Sequence, residues 1–277
     1  MTRRALLAGV RYTAMAVLAV LILAPLYWLM ISSVLPAGDI FLHASHFSLG
    51  TLVPERLTLE NYAALINSDF PRAIGNSLFV ALTTVTFALC VNSMAGFAFA
   101  VFRFPGQRVL FVLVLASFMM PFESIVMPLY TLMRGLGWTD TYRALILPEV
   151  ASGLAIFLFR QFFAGVPREL YEAARIDGAS WWQIYWQLVL PLSLPTIATA
   201  GLMQFVTQWD AFFWPIVAAS RPELTMVQVA IARHANLETT NWGGLFASAS
   251  VSVLVAAVPF LLLQRTYIRT IMYSGFK

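Results

Sequence analysis

Several polar side chains stand inside long apolar stretches of this sequence, where they could bind a polar solute. Asp210 and Glu123 are carboxylates in such stretches, and an intramembrane carboxylate is costly unless it is paired, hydrated or protonated. Gln204 and Gln208 are four residues apart and would share one helix face. The candidate translocation residues are Asn92, Glu123, Gln204, Gln208, Trp209 and Asp210. These amides and acids could hydrogen-bond a hydroxyl-rich solute, or they could only join neighbouring helices.

No familiar catalytic pattern accompanies these residues. The sequence contains no HExxH, no GxSxG and no pairing of cysteine with histidine, which argues against a membrane-embedded enzyme. His43 and His46 have helical spacing but lack a third ligand, so we predict no metal site. The single cysteine, Cys90, excludes a disulfide framework.

The composition indicates a membrane protein of the all-α class. Of 277 residues, 60% are hydrophobic and 11% are charged, whereas a soluble domain carries about 25% charged residues. Six apolar runs are each long enough to cross about 30 Å of hydrocarbon. They occupy residues 12–38, 73–102, 109–133, 144–163, 191–218 and 239–264. The first exceeds a usual signal-peptide core, which favours a retained helix. We therefore predict a polytopic protein with six transmembrane helices.

Basic residues orient these spans. With the N-terminus in the cytoplasm, eleven arginines and lysines fall on the cytoplasmic side and six on the other. The positive-inside rule thus predicts that both termini are cytoplasmic. On the opposite side, residues 39–72 predict a short amphipathic helix near the interface. Residues 219–241 form a second long outer segment, either functional or a simple tether.

The cytoplasmic segment between the fourth and fifth runs predicts two short helices joined at a glycine. Pro167 suits the first turn of a helix, and Gly178 suits its end. Ser180 and Gln183 then have the spacing of a capping box, which predicts a second helix. We call residues 167–183 the elbow. From the residues alone, it is either a knob gripped by a partner or a plain linker.

The elbow resembles a known family motif. The run Glu-Ala-Ala-Arg-Ile-Asp-Gly-Ala-Ser at 172–180, followed by Ile184, Leu190 and Pro191, closely resembles the EAA loop of ABC-importer permeases of the carbohydrate type. The run is similar to that of the second permease of maltose-type and glycerol-phosphate-type systems. It extends over most of the chain, through Asn76-Ser77, the run 103–106 and the elements Trp209-Asp210 and Trp214-Pro215. The ending at 274–277 is a variant of the family's tail.

The resemblance implies a type I ABC-importer permease and a division of the chain. Residues 1–72 would hold the first transmembrane helix and the outer amphipathic segment. Residues 73–270 would form the permease core with the coupling loop 164–190, and residues 271–277 a cytoplasmic tail. The residues that couple to the ATPase would be Glu172, Ala173, Ala174, Asp177 and Gly178.

The resemblance also implies partners. The chain lacks the GxxxxGK(S/T) loop, so it would need no cofactor of its own, and a partner ATPase would bind ATP and Mg. The expected partners are a cytoplasmic ATPase dimer, a second permease, an extracytoplasmic solute-binding protein and membrane lipid, but no nucleic acid. The expected location is the bacterial or archaeal cytoplasmic membrane.

Alternative functions remain open from the sequence. A secondary transporter usually has more spans and internal repeats than this chain, and a passive scaffold would need no ATPase. The solute cannot be read directly: disaccharides, amino sugars, oligosaccharides and glycerol-phosphate or its diesters are all possible. The acids in the apolar runs favour a neutral sugar over a phosphate-bearing solute.

Overall fold

A computed structural model of the chain describes residues 3–41, 54, 56–235 and 240–274. These residues are almost entirely helical; an isolated antiparallel bridge joins Ala235 to Thr240. The chain divides into two compact units: Met1–Pro71 with Ala230–Val255, and Arg72–Val229 with Ala256–Lys277. The expected all-α class is thereby confirmed. His43 and His46, at which we predicted no metal site, lie outside the described residues.

The helices follow one another with short connections. In chain order they are α1 Arg3–Ser33, α2 Glu60–Ile66, α3 Phe70–Val101, α4 Gln107–Met119, α5 Phe122–Gly135, α6 Tyr142–Ile146, α7 Gly153–Ala164, α8 Arg168–Ile176, α9 Trp181–Gln183, α10 Leu190–Leu192, α11 Leu194–Trp209, α12 Phe213–Ala218, α13 Val227–Ala232 and α14 Trp242–Ser274. Two 3-10 turns, Leu147–Glu149 and Pro222–Leu224, and a π-helical turn, Ile184–Val189, complete the set.

The first unit contains the predicted short outer helix, which is α2. Asn61 Nδ2 donates hydrogen bonds to the carbonyl oxygens of Ser33 and Leu35, at 3.1 and 2.8 Å. The Tyr62 hydroxyl and the Ser33 Oγ are 2.6 Å apart. The polar side chains thus fasten α2 to the end of α1, whereas Leu59 is 71% exposed. The helix is where it was predicted, and its polar side supplies the attachment.

The predicted spans are present, but half of them are bent. Three helical segments are each long and apolar enough to cross a membrane: Gly9–Ser33, Phe70–Val101 and Trp242–Gln264. Three further spans are bent helix pairs, Gln107–Met119 with Phe122–Gly135, Tyr142–Glu149 with Gly153–Ala164, and Trp181–Leu192 with Leu194–Trp209. If each pair crosses once, the described residues contain the six predicted spans.

Two of the predicted spans, 109–133 and 191–218, are interrupted by a bend. The first run bends by 103°, because Pro121 has no N–H and holds Met120 in extended backbone with ψ 127°. Glu123 therefore lies in the first turn of α5, outside any helix interior. The second run bends by 78° at Ser193, and its helix α11 ends at Trp209. Asp210 is the residue that ends α11.

Candidate functional site

One buried tyrosine anchors the elbow to neighbouring helices of the second unit. Tyr171, on α8, is only 8% exposed and packs in an aromatic cluster with Phe97, Phe163 and Tyr185. Its hydroxyl donates a hydrogen bond to the Phe163 carbonyl at 3.1 Å. Burial raises the pKa of Tyr171 to about 12, so the phenol keeps its proton and remains a donor. This contact fixes α8 against the end of α7.

The glycine predicted to end the first elbow helix does so. Gly178 has φ +82°, a left-handed conformation that favours glycine. Its N–H donates to the Arg175 carbonyl at 3.1 Å, and the Ala179 N–H donates to the Ala174 carbonyl at 2.9 Å. These two bonds satisfy carbonyls that the helix end would otherwise leave unpaired. The turn between the elbow helices is therefore set by local backbone geometry.

The predicted capping box is also confirmed. The Ser180 Oγ accepts a hydrogen bond from the Gln183 N–H at 3.3 Å, and the Gln183 side chain accepts one from the Ser180 N–H at 2.8 Å. The guanidinium of Arg175 donates to the Ala179 carbonyl at 2.7 Å and lies over the Trp181 ring. These contacts join the two elbow helices into one rigid element.

The exposed surface of the elbow combines acidic side chains with an apolar side chain at its tip. Glu172, Ala173, Asp177 and Gly178 are exposed, and Ala174 is half-buried against the aromatic cluster. Ile176 is 86% exposed. Asp177 caps α8 through its backbone N–H, which donates to the Ala173 carbonyl at 3.0 Å. The tip of the elbow therefore leaves acidic and apolar side chains uncovered together.

The predicted translocation residues separate into two groups, and the first lies inside the helix bundle. Asn92 is fully buried; its Nδ2 donates to the Val150 carbonyl at 3.0 Å and its Oδ1 accepts from the Ser152 N–H at 3.1 Å. Gln204 Nε2 donates to the Glu149 carbonyl at 3.0 Å. Both amides therefore hold the bend between α6 and α7, the joining role that the sequence left open.

The second group consists of Trp209, Asp210 and Glu123. Trp209 is buried and stacks on Phe205, with ring centroids 5.8 Å apart. Asp210 is exposed at the end of α11, and its Oδ1 accepts a hydrogen bond from Gln228 at 3.3 Å. Glu123 is exposed at the start of α5. Trp209, Asp210 and Glu123 line neither of the two cavities described next.

Glu149 lines two of the cavities in the second unit. The first has a volume of about 270 Å³ and is lined in part by Gln204, Thr207 and Ser117. The second has a volume of about 420 Å³ and is lined in part by Gln208 and Thr207. Glu149 is half-buried, and its carboxylate accepts a hydrogen bond from Gln208.

Glu149 was missing from the sequence-based set of candidates. It lies near the start of the run 144–163, and the rule that drew attention to Glu123 and Asp210 applies to it equally. Position in the sequence does not distinguish these three acids, because only the packing of helices decides which of them faces a cavity.

A second missed feature concerns the outer segment 219–241. Asn76 Nδ2 donates to the carbonyls of Glu223 and Thr225, at 2.7 and 3.0 Å. The Ser77 Oγ accepts from the Val227 N–H at 2.8 Å. The Asn-Ser pair at the start of α3 thus fastens this segment to the helix bundle. At least its first part, up to Val227, is packed structure and no loose tether.

Relatives extend over nearly the whole chain. An arabinooligosaccharides transport system permease protein of Halalkalibacterium halodurans is 31% identical, over 95% of this chain and 94% of that protein. An sn-glycerol-3-phosphate transport system permease protein of Agrobacterium fabrum is 30% identical, over 92% and 93%.

A solved structure shares the fold. It is a bacterial ABC transporter involved in the import of the acidic polysaccharide alginate, and it matches with a TM-score of 0.81 at 21% identity. The match covers 96% of this chain and 98% of that one. The model of the family described as binding-protein-dependent transport system inner membrane component matches residues 92–272. The chain therefore belongs to this family of inner membrane components of binding-protein-dependent transport systems.

Proposed function

We propose that this chain is a transmembrane permease subunit of an ATP-driven importer for a sugar. The relatives named for arabinooligosaccharides and for sn-glycerol-3-phosphate support import of a polyhydroxylated solute. Those two solutes differ in charge: the first is a neutral oligosaccharide and the second carries a phosphate group. The chain provides half of the translocation pore, and a second permease provides the other half.

The observation that carries the proposal is the exposed surface of the elbow. Glu172, Ala173 and Asp177 stand beside Ile176 on a helix that Tyr171 holds rigidly against the bundle. A coupling element transmits displacement only if it is packed firmly against the part that it moves, and the aromatic cluster provides that packing. A cleft in a cytoplasmic ATPase receives the other end. Ala173 and Gly178 let the two backbones approach closely, and Glu172 makes the polar contact.

The proposed cycle assigns hydrolysis to the partners. An ATPase dimer binds ATP and Mg and, on closing, pulls this elbow toward that of the second permease. The two bundles then rock from an inward-open to an outward-open state. An extracytoplasmic binding protein delivers the solute. Both termini and the elbow lie in the cytoplasm, and the cofactors belong to the ATPase.

Site-directed cross-linking tests the proposal. We would replace Ala173 by cysteine in a Cys90→Ala background and co-express the chain with the second permease and the ATPase carrying a cysteine in its cleft. We expect a disulfide between the two subunits whose yield changes when ATP is added, together with solute uptake that stops when ATP hydrolysis is blocked. Cysteine at Leu59, an exposed residue of the outer segment, is the matched control and should give no cross-link.

Two results would contradict the proposal. The first is equal cross-linking from Ala173→Cys and Leu59→Cys. The second is cleavage of the elbow by protease added to the outside of intact cells. The first result would mean that the cross-link does not report a specific contact with the ATPase. The second would place the elbow outside the cytoplasm.

A further inference from the structure

Glu149 is the acidic residue that lines both of these bundle cavities. Thr207 lines both cavities as well, so the two spaces adjoin along α11. The first is flanked by the small polar residues Ser117 and Ser152, and the second by aromatic side chains such as Phe122 and Trp214. Hydroxyl-bearing residues on one side and aromatic residues on the other suit a solute with both polar and apolar faces.

The packing around Glu149 holds its carboxylate in one place. The Glu149 carbonyl accepts from Gln204, the carboxylate accepts from Gln208, and Asn92 holds the backbone at Val150 and Ser152. Gln208 is itself only 3% exposed, so its amide is already oriented toward the acid. A group fixed in this way is prepared for a ligand without further rearrangement.

No opposite charge offsets this acid at the cavity walls. Among the described residues that line the two cavities, Glu149 is the one acid and there is no arginine, lysine or histidine. Charges interact more strongly near low-dielectric walls than in bulk water. A solute anion entering either cavity would therefore meet a carboxylate and find no basic side chain.

We propose that Glu149 is a charge-selecting residue of the solute path, which admits neutral or cationic hydroxylated solutes and rejects anionic ones. This inference rests on the proposed function and makes it specific: the sugar carries no phosphate or carboxylate group. Glu149 acts both as a hydrogen-bond acceptor for solute hydroxyls and as a repulsive charge. Glu123 and Asp210, the acids first singled out, have no such role because they line neither cavity.

Charge-selective thiol labelling tests this without knowledge of the solute. In the complete transporter with Cys90→Ala, Thr207 is replaced by cysteine and labelled in membrane vesicles with a cationic and an anionic methanethiosulfonate reagent of similar size. Each rate is divided by the rate of the same reagent with free cysteine. We expect the cationic reagent to be favoured at least tenfold, and Glu149→Gln to lower that preference at least fivefold.

Three further variants distinguish charge selection by Glu149 from a general disturbance of the cavities. Glu123→Gln removes a carboxylate that lines neither cavity and should leave the preference unchanged. Glu149→Asp keeps the charge and should keep most of the preference. Ser117→Lys adds an opposing charge to the first cavity and should lower the preference, even if Glu149→Gln fails to reach the membrane.

Several outcomes would overturn the inference. They are an unreactive cysteine at 207, equal rates for the two reagents, or an equal effect of Glu123→Gln and Glu149→Gln. The labelling needs neither ATP nor solute, so these failures are distinct from a failure of the elbow to cross-link to an ATPase. Charge selection without cross-linking would instead refute the importer function and leave a charge-selective cavity.

Discussion

The elbow and the polar layer of the bundle, meaning Asn92, Glu149, Gln204 and Gln208, differ in how they use polar residues. In the elbow, local hydrogen bonds between near neighbours build the shape, and the side chains of Glu172 and Asp177 are left exposed. In the polar layer, hydrogen bonds join residues 55 to 60 positions apart, and most side chains are buried. The elbow thus leaves its polar side chains exposed, whereas most polar side chains of the layer form hydrogen bonds that join helices.

The comparison shows that a polar residue inside a membrane bundle does not necessarily line the solute path. Asn92 makes both of its strong contacts with backbone and is fully buried. Glu149 is held by the same network, yet it remains half-exposed at two cavities. Asn92 and Glu149 therefore differ in how much accessible surface remains after their internal hydrogen bonds are made.

The largest expected effect comes from breaking the polar layer at Asn92. Asn92→Leu leaves the part-buried Val150 carbonyl and Ser152 N–H without this partner; a fully buried unpaired group would cost about 1–3 kcal/mol. We expect a lower Tm of the purified transporter, while cross-linking through the elbow persists. Cys90→Ala, an exposed position two residues earlier, should leave Tm unchanged. An unaltered Tm for Asn92→Leu would mean that the layer is not structural.

The next largest effect comes from breaking the elbow at Gly178. A β-branched residue is an outlier at φ +82°, and the left-handed conformation costs about 1–2 kcal/mol. Gly178→Val should therefore insert normally but lose uptake at least tenfold.

A second glycine of similar backbone geometry controls for this strain. Gly137 has φ +67°, and both glycines have open space around the position of an added Cβ. Gly137→Val should show the same strain with much less loss of uptake. Equal loss in both variants would show that backbone strain, and not coupling, explains the effect.

Ile176 sharpens the comparison, because it is exposed and contributes little to folding. Ile176→Asp should weaken binding of the ATPase about tenfold, a loss of about 1.4 kcal/mol, and leave Tm unchanged. Titration of the permease pair with the purified ATPase measures this affinity. Leu59→Asp replaces an apolar residue that is similarly exposed, at 71%, and should not alter ATPase binding. A drop in Tm for Ile176→Asp would contradict the assignment.

The smallest expected effect is a pH dependence outside both regions. Burial lowers the pKa of His234 below its ordinary value, so the unfolded chain binds a proton more readily than the folded one. Stability from neutral His234 is therefore complete above about pH 6.5 and falls as the pH drops below that value.

The matched variant for this effect is His234→Gln, which cannot titrate. The slope of Tm between pH 7.5 and pH 5 should be shallower in the variant than in the parent transporter. Identical slopes would assign the acid sensitivity to other groups. Elbow cross-linking should not follow this pH dependence, since His234 belongs to the other unit.

Much of the elbow could be predicted because its structure is local. The positive φ of Gly178, the capping box of Ser180 with Gln183, and the short helix after Pro167 all follow from residues within a few positions of one another. Apolar run length likewise predicted the six spans when each bent pair counts once. The orientation of the termini and the division into 1–72, 73–270 and 271–277 stay predictions.

What the sequence determined by itself was the local backbone, the apolar lengths and the family motif, since each depends on neighbouring residues. Only the tertiary structure decided that Asn92 is buried, that Asp210 ends a helix, and that Glu149 reaches two cavities. Three acids in apolar runs look alike in the sequence, because hydropathy records what a residue is and not what it faces. Helix packing across 50 or more positions of chain, together with the bend at Pro121, sets that difference.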